Sequence, residues 1–166
     1  MDDESLLPPR LLSPSAQKVQ RALEARGFPY RVVELDAPVR TAADAARAVG
    51  CTVAQIAKCV VFRGARSGRP VLVVTSGAHR VDDTRIAALL GEPLAKADPD
   101  FVRAATGFGI GGVPPLGHAV APEAFVDEEL LRHPVIWAAA GHPNSLFRLD
   151  PADLPRMTGG RLVGVR

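Results

Sequence analysis

Apolar positions along this chain fall into short blocks, some at helical and some at strand spacing, each closed by a turn residue. Ser13-Pro14 supplies an N-cap followed by a proline suited to a first helical position. Val19, Ala22 and Leu23 then recur at helical spacing until Gly27 stops the pattern near Arg26. Phe28 to Leu35 is rich in β-branched and aromatic residues and reads as a strand. Thr41 caps an alanine-rich helix that ends near Gly50. Thr52 with Gln55 three residues later has capping-box spacing and predicts a short helix running into a strand, Lys58 to Arg63. Pro70 to Thr75 is a second strand, and the pair reads as a hairpin around residues 64–69.

The second half keeps the same rhythm. Asp82-Asp83 opens a helix carrying Ile86, Leu89 and Leu90, and Asp98-Pro99 opens another carrying Phe101, Val102 and Ala105. Gly91 and Gly107 are their stops. His118 to Val120 reads as a strand, and Asp127 to Leu131 as a short acidic helix. Val135 to Ala139 and Leu146 to Leu149 form a second hairpin around Gly141-His142-Pro143-Asn144. Asp150-Pro151 starts a last short helix, and Arg161 to Val165 is a final strand. With no repeat and no low-complexity linker, the pattern predicts one α/β (α+β) domain with a mixed sheet over residues 13–166, behind a loose arm over residues 1–12.

Composition narrows the class. At 166 residues the chain is long enough for one real core and short for two. No apolar run approaches the roughly 20 residues that span a bilayer. The start, Met1-Asp2-Asp3-Glu4-Ser5, is acidic where a signal peptide is basic, so the expectation is a cytoplasmic protein without a membrane partner. Cys51 and Cys59 form no C-x-x-C pair, and His79, His118, His133 and His142 show no metal-ligand spacing, so no metal is expected. The net charge of +2 neither demands nor forbids nucleic acid. All but three of the 20 basic residues are arginine, which singles out Lys18, Lys58 and Lys96.

The densest conformational signal is Thr106 to Gly117, with five glycines and two prolines in twelve residues. Such a loop is permissive and braced at once, which suits the lining of a site. Gly107 to Gly112 matches G-x-G-x-x-G, but a helix precedes it and Pro114-Pro115 blocks one from starting within it, which removes a dinucleotide cradle. No G-x-S-x-G or P-loop motif is present, and Cys59 sits in an apolar run that favours an inert thiol over a nucleophile paired with His142. Lys58 stands at a helix–strand junction, where it either snorkels to solvent or reaches into a cleft as a cation.

Three segments together resemble the YbaK/ProX superfamily of prolyl-tRNA synthetase-associated domains, free-standing aminoacyl-tRNA deacylases. They are Gln55 to Phe62, Val74-Thr75-Ser76-Gly77 with Arg80-Val81-Asp82, and Thr106 to Gly117, in the family's order and spacing, so that the similarity covers about residues 14–165. The resemblance implies a mixed, mostly antiparallel curved sheet or partial barrel flanked by helices. It assigns the family's essential lysine to Lys58 and its glycine-x-x-x-proline loop to Gly111 through Pro115, with Gly112 inside it. Gly141 and His142 take the place of the late hairpin glycine and a pocket residue, and they, with Ser76 and Gly77 of the shared motif, would bind the substrate. Phe28 and Tyr30 would be apolar walls, and Arg63, Arg66 and Arg69 would touch the tRNA acceptor stem or merely solvate a hairpin tip. Pro114 stands where relatives often carry serine.

The activity so implied is trans-editing: hydrolysis of tRNA(Pro) mischarged with alanine, cysteine or a similar small residue, which one synthetase pocket rejects poorly. It needs no cofactor and no protein nucleophile, because the terminal ribose hydroxyl helps to activate water. Aminoacyl-tRNA is the expected partner, with prolyl-tRNA synthetase as a further one. Two other readings stay open on sequence: a non-catalytic tRNA- or synthetase-binding module of the same fold, and hydrolysis of another small ester.

Overall fold

The computed structural model describes residues 12–37 and 39–166. Among these, five helices pack on an eight-stranded mixed sheet that does not close into a barrel. In chain order the elements are α1 (Pro14–Ala25), β1 (Val32–Glu34), α2 (Ala42–Val49), β2 (Ile56–Gly64), β3 (Pro70–Ser76), α3 (Asp83–Leu90), β4 (Leu94–Lys96), α4 (Pro99–Thr106), β5 (Glu123–Asp127), β6 (Ile136–Ala139), β7 (Ser145–Leu149), α5 (Leu154–Thr158) and β8 (Arg161–Val163). The strand order is β1-β7-β6-β2-β3-β5-β8, and β4 pairs with β2 off this path. Hairpins β2–β3 and β6–β7 are antiparallel, as are β1–β7 and β2–β4; β2–β6, β3–β5 and β5–β8 are parallel.

Local chemistry sets the boundaries. Side chains of Ser13, Thr41, Asp82 and Asp98 each accept an amide from the first turn of their helix, a cap worth about 1 kcal/mol. Gly50, Gly91 and Gly107 end α2, α3 and α4 in the left-handed region. The main core packs Val19 and Leu23 of α1 against Leu72, Val74, Val126, Phe147 and Leu149 of the sheet. Smaller cores lie under α2, around Ile56 and Leu146, and under α3, around Val71, Val73 and Phe125.

Several expected elements differ. The strand expected over Phe28 to Leu35 shrinks to Val32–Glu34. The Phe28 amide donates to the Leu23 carbonyl, Pro29 has no amide hydrogen, and the Gln20 side chain takes both the Tyr30 carbonyl and the Val32 amide. The expected strand at His118 to Val120 is absent, because the Ala119 and Val120 amides donate back to the Thr106 and Ala105 carbonyls at the end of α4. Strand β5 lies just beyond it, and β4, which directly follows Pro93 and is three residues long, is short enough to escape pattern reading. Strand β2 begins at Ile56, so Lys58 lies inside the strand rather than at its junction with the Val53–Gln55 3-10 turn. The arm expected over residues 1–12 lies outside the described residues except for Leu12, which is buried in the main core.

Phe147 is fully buried where α1 and the β6–β7 hairpin meet. Phe147→Ala is expected to lower unfolding free energy by about 3–5 kcal/mol in a urea titration, with an unchanged native circular dichroism spectrum.

Candidate functional site

Strand β2 is the floor of the site. Its antiparallel register with β3 places Lys58 opposite Thr75, and strand alternation puts Lys58 on the same face as Ile56 and Val60. The Val53–Gln55 turn leads into the strand, and the Gln55 side chain donates to the Val135 carbonyl, tying this entry to β6 at 3.0 Å. After β3, the Gly77 amide donates to the Ile56 carbonyl at 2.7 Å. A Cβ on Gly77 would lie 2.6 Å from the Val53 carbonyl oxygen and 2.9 Å from the Ala42 Cβ, so only glycine lets α2 and the turn close here.

The glycine-rich loop is held by its neighbours. Thr106 Oγ accepts the Phe108 amide at 3.0 Å, and its hydroxyl lies within bonding distance of the Val102 carbonyl, 2.7 Å away. Residues Gly112 to Leu116 are buried, whereas Gly111 is exposed. His118 Nε2 donates to the Pro114 carbonyl at 2.6 Å, leaving a buried Nδ1 with no partner. Burial lowers the pKa of His118, although the bond to Pro114 opposes this, so the brace is a neutral imidazole.

Two loops then meet main chain to main chain. The Gly141 amide donates to the Gly112 carbonyl at 2.8 Å, and a Cβ on Gly112 would sit 2.7 Å from the His142 nitrogen. Gly141 has φ +96° and lies against α1, where a Cβ would be 2.6 Å from the Ser15 carbonyl oxygen. The turn carrying His142 is also anchored by Glu34, which accepts from the Ser13 amide at 2.9 Å and the Ser145 hydroxyl at 2.7 Å. Burial pushes the Glu34 carboxyl up, but these hydrogen bonds outweigh it and hold the pKa below the ordinary value. His142 Nδ1 accepts the Asn144 amide at 3.1 Å, so in the neutral ring the proton sits on Nε2.

These elements surround a cleft of about 1000 Å³. It brings together Lys58, Gly77, Gly111 and His142, with α2 residues Ala42 and Ala45 on one side and Ile110 and Val113 on the other. Among the described residues its formal charges are Arg40 and Lys58, and no carboxylate lines it. Gly112, Pro115 and Gly141 stand behind the lining, where they set the course of the loops. Ser76 is buried and structural: its hydroxyl donates to the Ala54 carbonyl and its amide donates to Asp127.

Other expected residues lie elsewhere. Phe28 is buried in the main core beneath Arg156, and Tyr30 stacks on it and bonds through its hydroxyl to Asp153, so neither walls the cleft. Arg63, at the far end of β2, is about five strand residues, roughly 17 Å, from Lys58. Arg66 lies in the connecting turn, its amide bonded to Glu92, and Arg69 pairs with Glu123 at 3.5 Å. Arg40, which the sequence did not single out, is the arginine at the cleft among the described residues.

Neither cysteine is an activated thiol. Burial pushes the Cys59 thiol up to about 12 and also raises Cys51. His79, Asp127 and Glu129 bring their donor atoms within 4.8 Å, a grouping the sequence did not reveal because His79 lies 48 residues before Asp127. Asp127 Oδ2 already faces the Ser76 amide, the Thr75 hydroxyl and His79 Nδ1, so the group braces the end of β3 behind the cleft. The cleft thus offers the cations Arg40 and Lys58, an imidazole N–H donor and main-chain groups. Such an arrangement can bind and polarise an ester while water or the substrate supplies the nucleophile.

A sequence profile of the aminoacyl-tRNA editing domain matches residues 36–157, most of the chain and every segment that builds the cleft. The chain belongs to the aminoacyl-tRNA editing family. The YwhH protein of Bacillus subtilis (strain 168) is 32% identical over 123 residues, covering 74% of this chain and 78% of that one. A solved structure described as a proposed trans-editing enzyme for prolyl tRNA synthetase is 49% identical, with a TM-score of 0.89 over 93% of this chain and 98% of that one. The structure of APE2540 is 30% identical, with a TM-score of 0.82 over 89% of this chain and 98% of that one. Among the described residues no helix is long and apolar enough to cross a membrane.

Gly112→Ala is expected to destabilise the fold by about 1–3 kcal/mol in thermal melts and to broaden the backbone NMR signals of Gly141 and His142. Because its pKa is depressed in the folded state, Glu34 stabilises the 141–145 turn above the ordinary carboxylate pKa, and this contribution fades as pH falls through its own lower value. Comparing the acid stability of the wild type with Glu34→Gln checks this, the difference between them shrinking toward low pH.

Proposed function

We propose that the protein is a trans-editing deacylase that hydrolyses the ester of tRNA(Pro) mischarged with a small amino acid such as alanine or cysteine. The observation that carries this reading is the convergence of Lys58, Gly111 and His142 on one cleft that, among the described residues, is lined by no carboxylate and no activated thiol. A cleft of about 1000 Å³ lies at the upper end of the range that takes drug-sized ligands, so it has room for a terminal adenosine together with its aminoacyl group. Membership of the editing family and similarity to a structure described as a proposed trans-editing enzyme for prolyl tRNA synthetase support the substrate class and the proline system.

In this reading the nucleophile is water, activated with the help of the terminal ribose hydroxyl. Lys58 holds the ester carbonyl or the adjacent phosphate and offsets negative charge as the tetrahedral intermediate forms. His142 acts through Nε2–H as a hydrogen-bond donor, because its other nitrogen is taken by the Asn144 amide. The Gly111–Pro115 loop closes one side of the cleft, so that the reacting ester is held among oriented dipoles rather than in bulk water. Arg40 is placed to meet the phosphates at the cleft mouth.

Lys58→Ala is expected to fold normally and to lower the single-turnover deacylation of alanyl-tRNA(Pro) by about a hundredfold or more. An unchanged rate would remove Lys58 from the chemistry. Running tRNA(Pro) charged with alanine, cysteine, serine, threonine and 2-aminobutyrate in parallel identifies the residue removed, and a flat response near spontaneous hydrolysis would sink the reading.

A further inference from the structure

The sheet forks at the floor of the cleft. Strand β2 pairs with β6 only at Ile56–Trp137 and Ala57–Ala138, and it meets β4 only from Phe62 onward. Between those points no described strand covers its edge. The groups turned to that edge follow from the register. The Gly77 amide donates to the Ile56 carbonyl and the Gly64 amide to the Arg69 carbonyl, so the even-numbered residues of β2 direct their main-chain groups to β3. Cys59, between them, directs both its N–H and its C=O to the gap. On the other branch, the Ala140 amide donates to the Ser145 carbonyl, so Ala139 turns away from β7 and toward β2. The next rung of the parallel ladder would join the Cys59 N–H to the Ala139 C=O, but the pairing ends one step before it. Cys59 and Ala139 both line the cleft.

The charges there point to what fits. Among the described residues the cleft carries Arg40 and Lys58 and no carboxylate, so carbonyl oxygens are the acceptors it offers to an ammonium group. We propose that the fork between β2 and β6 receives the main chain of the substrate's amino acid, as a one-residue strand addition. The Cys59 N–H donates to the ester carbonyl, and the Cys59 and Ala139 carbonyls accept from the free α-ammonium. An extended aminoacyl group carries its nitrogen and carbonyl on one side, which is the spacing that a close antiparallel pair offers. Substrates with a blocked nitrogen, such as N-acetylaminoacyl or peptidyl esters, are then excluded because they lack the protons and crowd the Ala139 carbonyl. This inference rests on the reading of the cleft as an aminoacyl-ester site and adds which chemical form of the ester it accepts.

The chain has two cysteines, so selective ¹⁵N-cysteine labelling of the full protein gives two amide signals, assigned with a Cys51→Ala variant. The Cys51 amide, bonded to the Ala46 carbonyl at 3.0 Å, is an internal control. The probe is the non-hydrolysable alanyl amide of 3′-amino-3′-deoxyadenosine, with binding followed by calorimetry. The expected result is a downfield move of the Cys59 amide proton on saturation, a stationary Cys51 signal, and at least about a hundredfold weaker binding of the N-acetylalanyl analogue. A Cys59 signal that stays in place at saturation, equal affinity for the N-acetyl analogue, or no binding at millimolar concentration each overturns the proposal. Deacylation of alanyl-tRNA(Pro) is measured separately. Hydrolysis without the Cys59 shift leaves the editing reading standing and removes the fork, and the shift without hydrolysis does the reverse.

Discussion

The Gly112 carbonyl and the Gly141 amide bind the two halves of the site together, and the rest of the cleft depends on that contact. It works only because neither residue has a side chain. A Cβ on Gly112 would lie 2.8 Å from the Gly141 carbonyl carbon, and one on Gly141 would lie 2.6 Å from the Ser15 carbonyl oxygen. Loop, turn and helix α1 are therefore stacked at main-chain distance, and each fixes the next. Glu34 extends the stack by joining the start of α1 to Ser145. Around this column His142 is held by a backbone amide, Pro114 is held by His118, and Gly111 is pressed outward as the exposed corner of the loop.

That rigidity suits a site whose chemistry is electrostatic rather than covalent. A thiol pushed up to about 12 is protonated at neutral pH and makes a poor nucleophile, and an imidazole whose Nδ1 lone pair is already engaged is a donor rather than a base. What remains is Lys58 and Arg40, one N–H donor and main-chain dipoles, whose value lies in being aimed before the substrate arrives. The same economy appears at the sheet fork, where the strands part and leave main-chain groups for a ligand instead of a side-chain cluster.

Much of this was legible in the sequence because local rules govern it. Caps at Ser13, Thr41, Asp82 and Asp98, glycine stops at Gly50, Gly91 and Gly107, and both hairpins follow from residue type at fixed spacing. Lys58, Gly111 and His142, distant in the chain, line one cleft. What local reading missed involved partners far along the chain. Phe28 and Tyr30 look like pocket walls until Asp153 and Arg156 claim them for the core side. The apolar run at His118 to Val120 is bonded back to α4, and β4 is only three residues long. Arg63, Arg66 and Arg69 cluster in sequence, but the register of β2 and β3 carries them to the end of the hairpin away from Lys58.

In the proposed reading the ester is cleaved by substrate-assisted water in a cleft that contributes orientation and charge but no nucleophile. The most direct test is single-turnover deacylation of alanyl-tRNA(Pro) whose terminal adenosine lacks the free ribose hydroxyl next to the ester, with Lys58 and the glycine loop intact. The expected result is a rate that falls to that of spontaneous hydrolysis while binding is kept. A rate equal to that of the normal substrate would contradict it and require a nucleophile or base supplied by the protein.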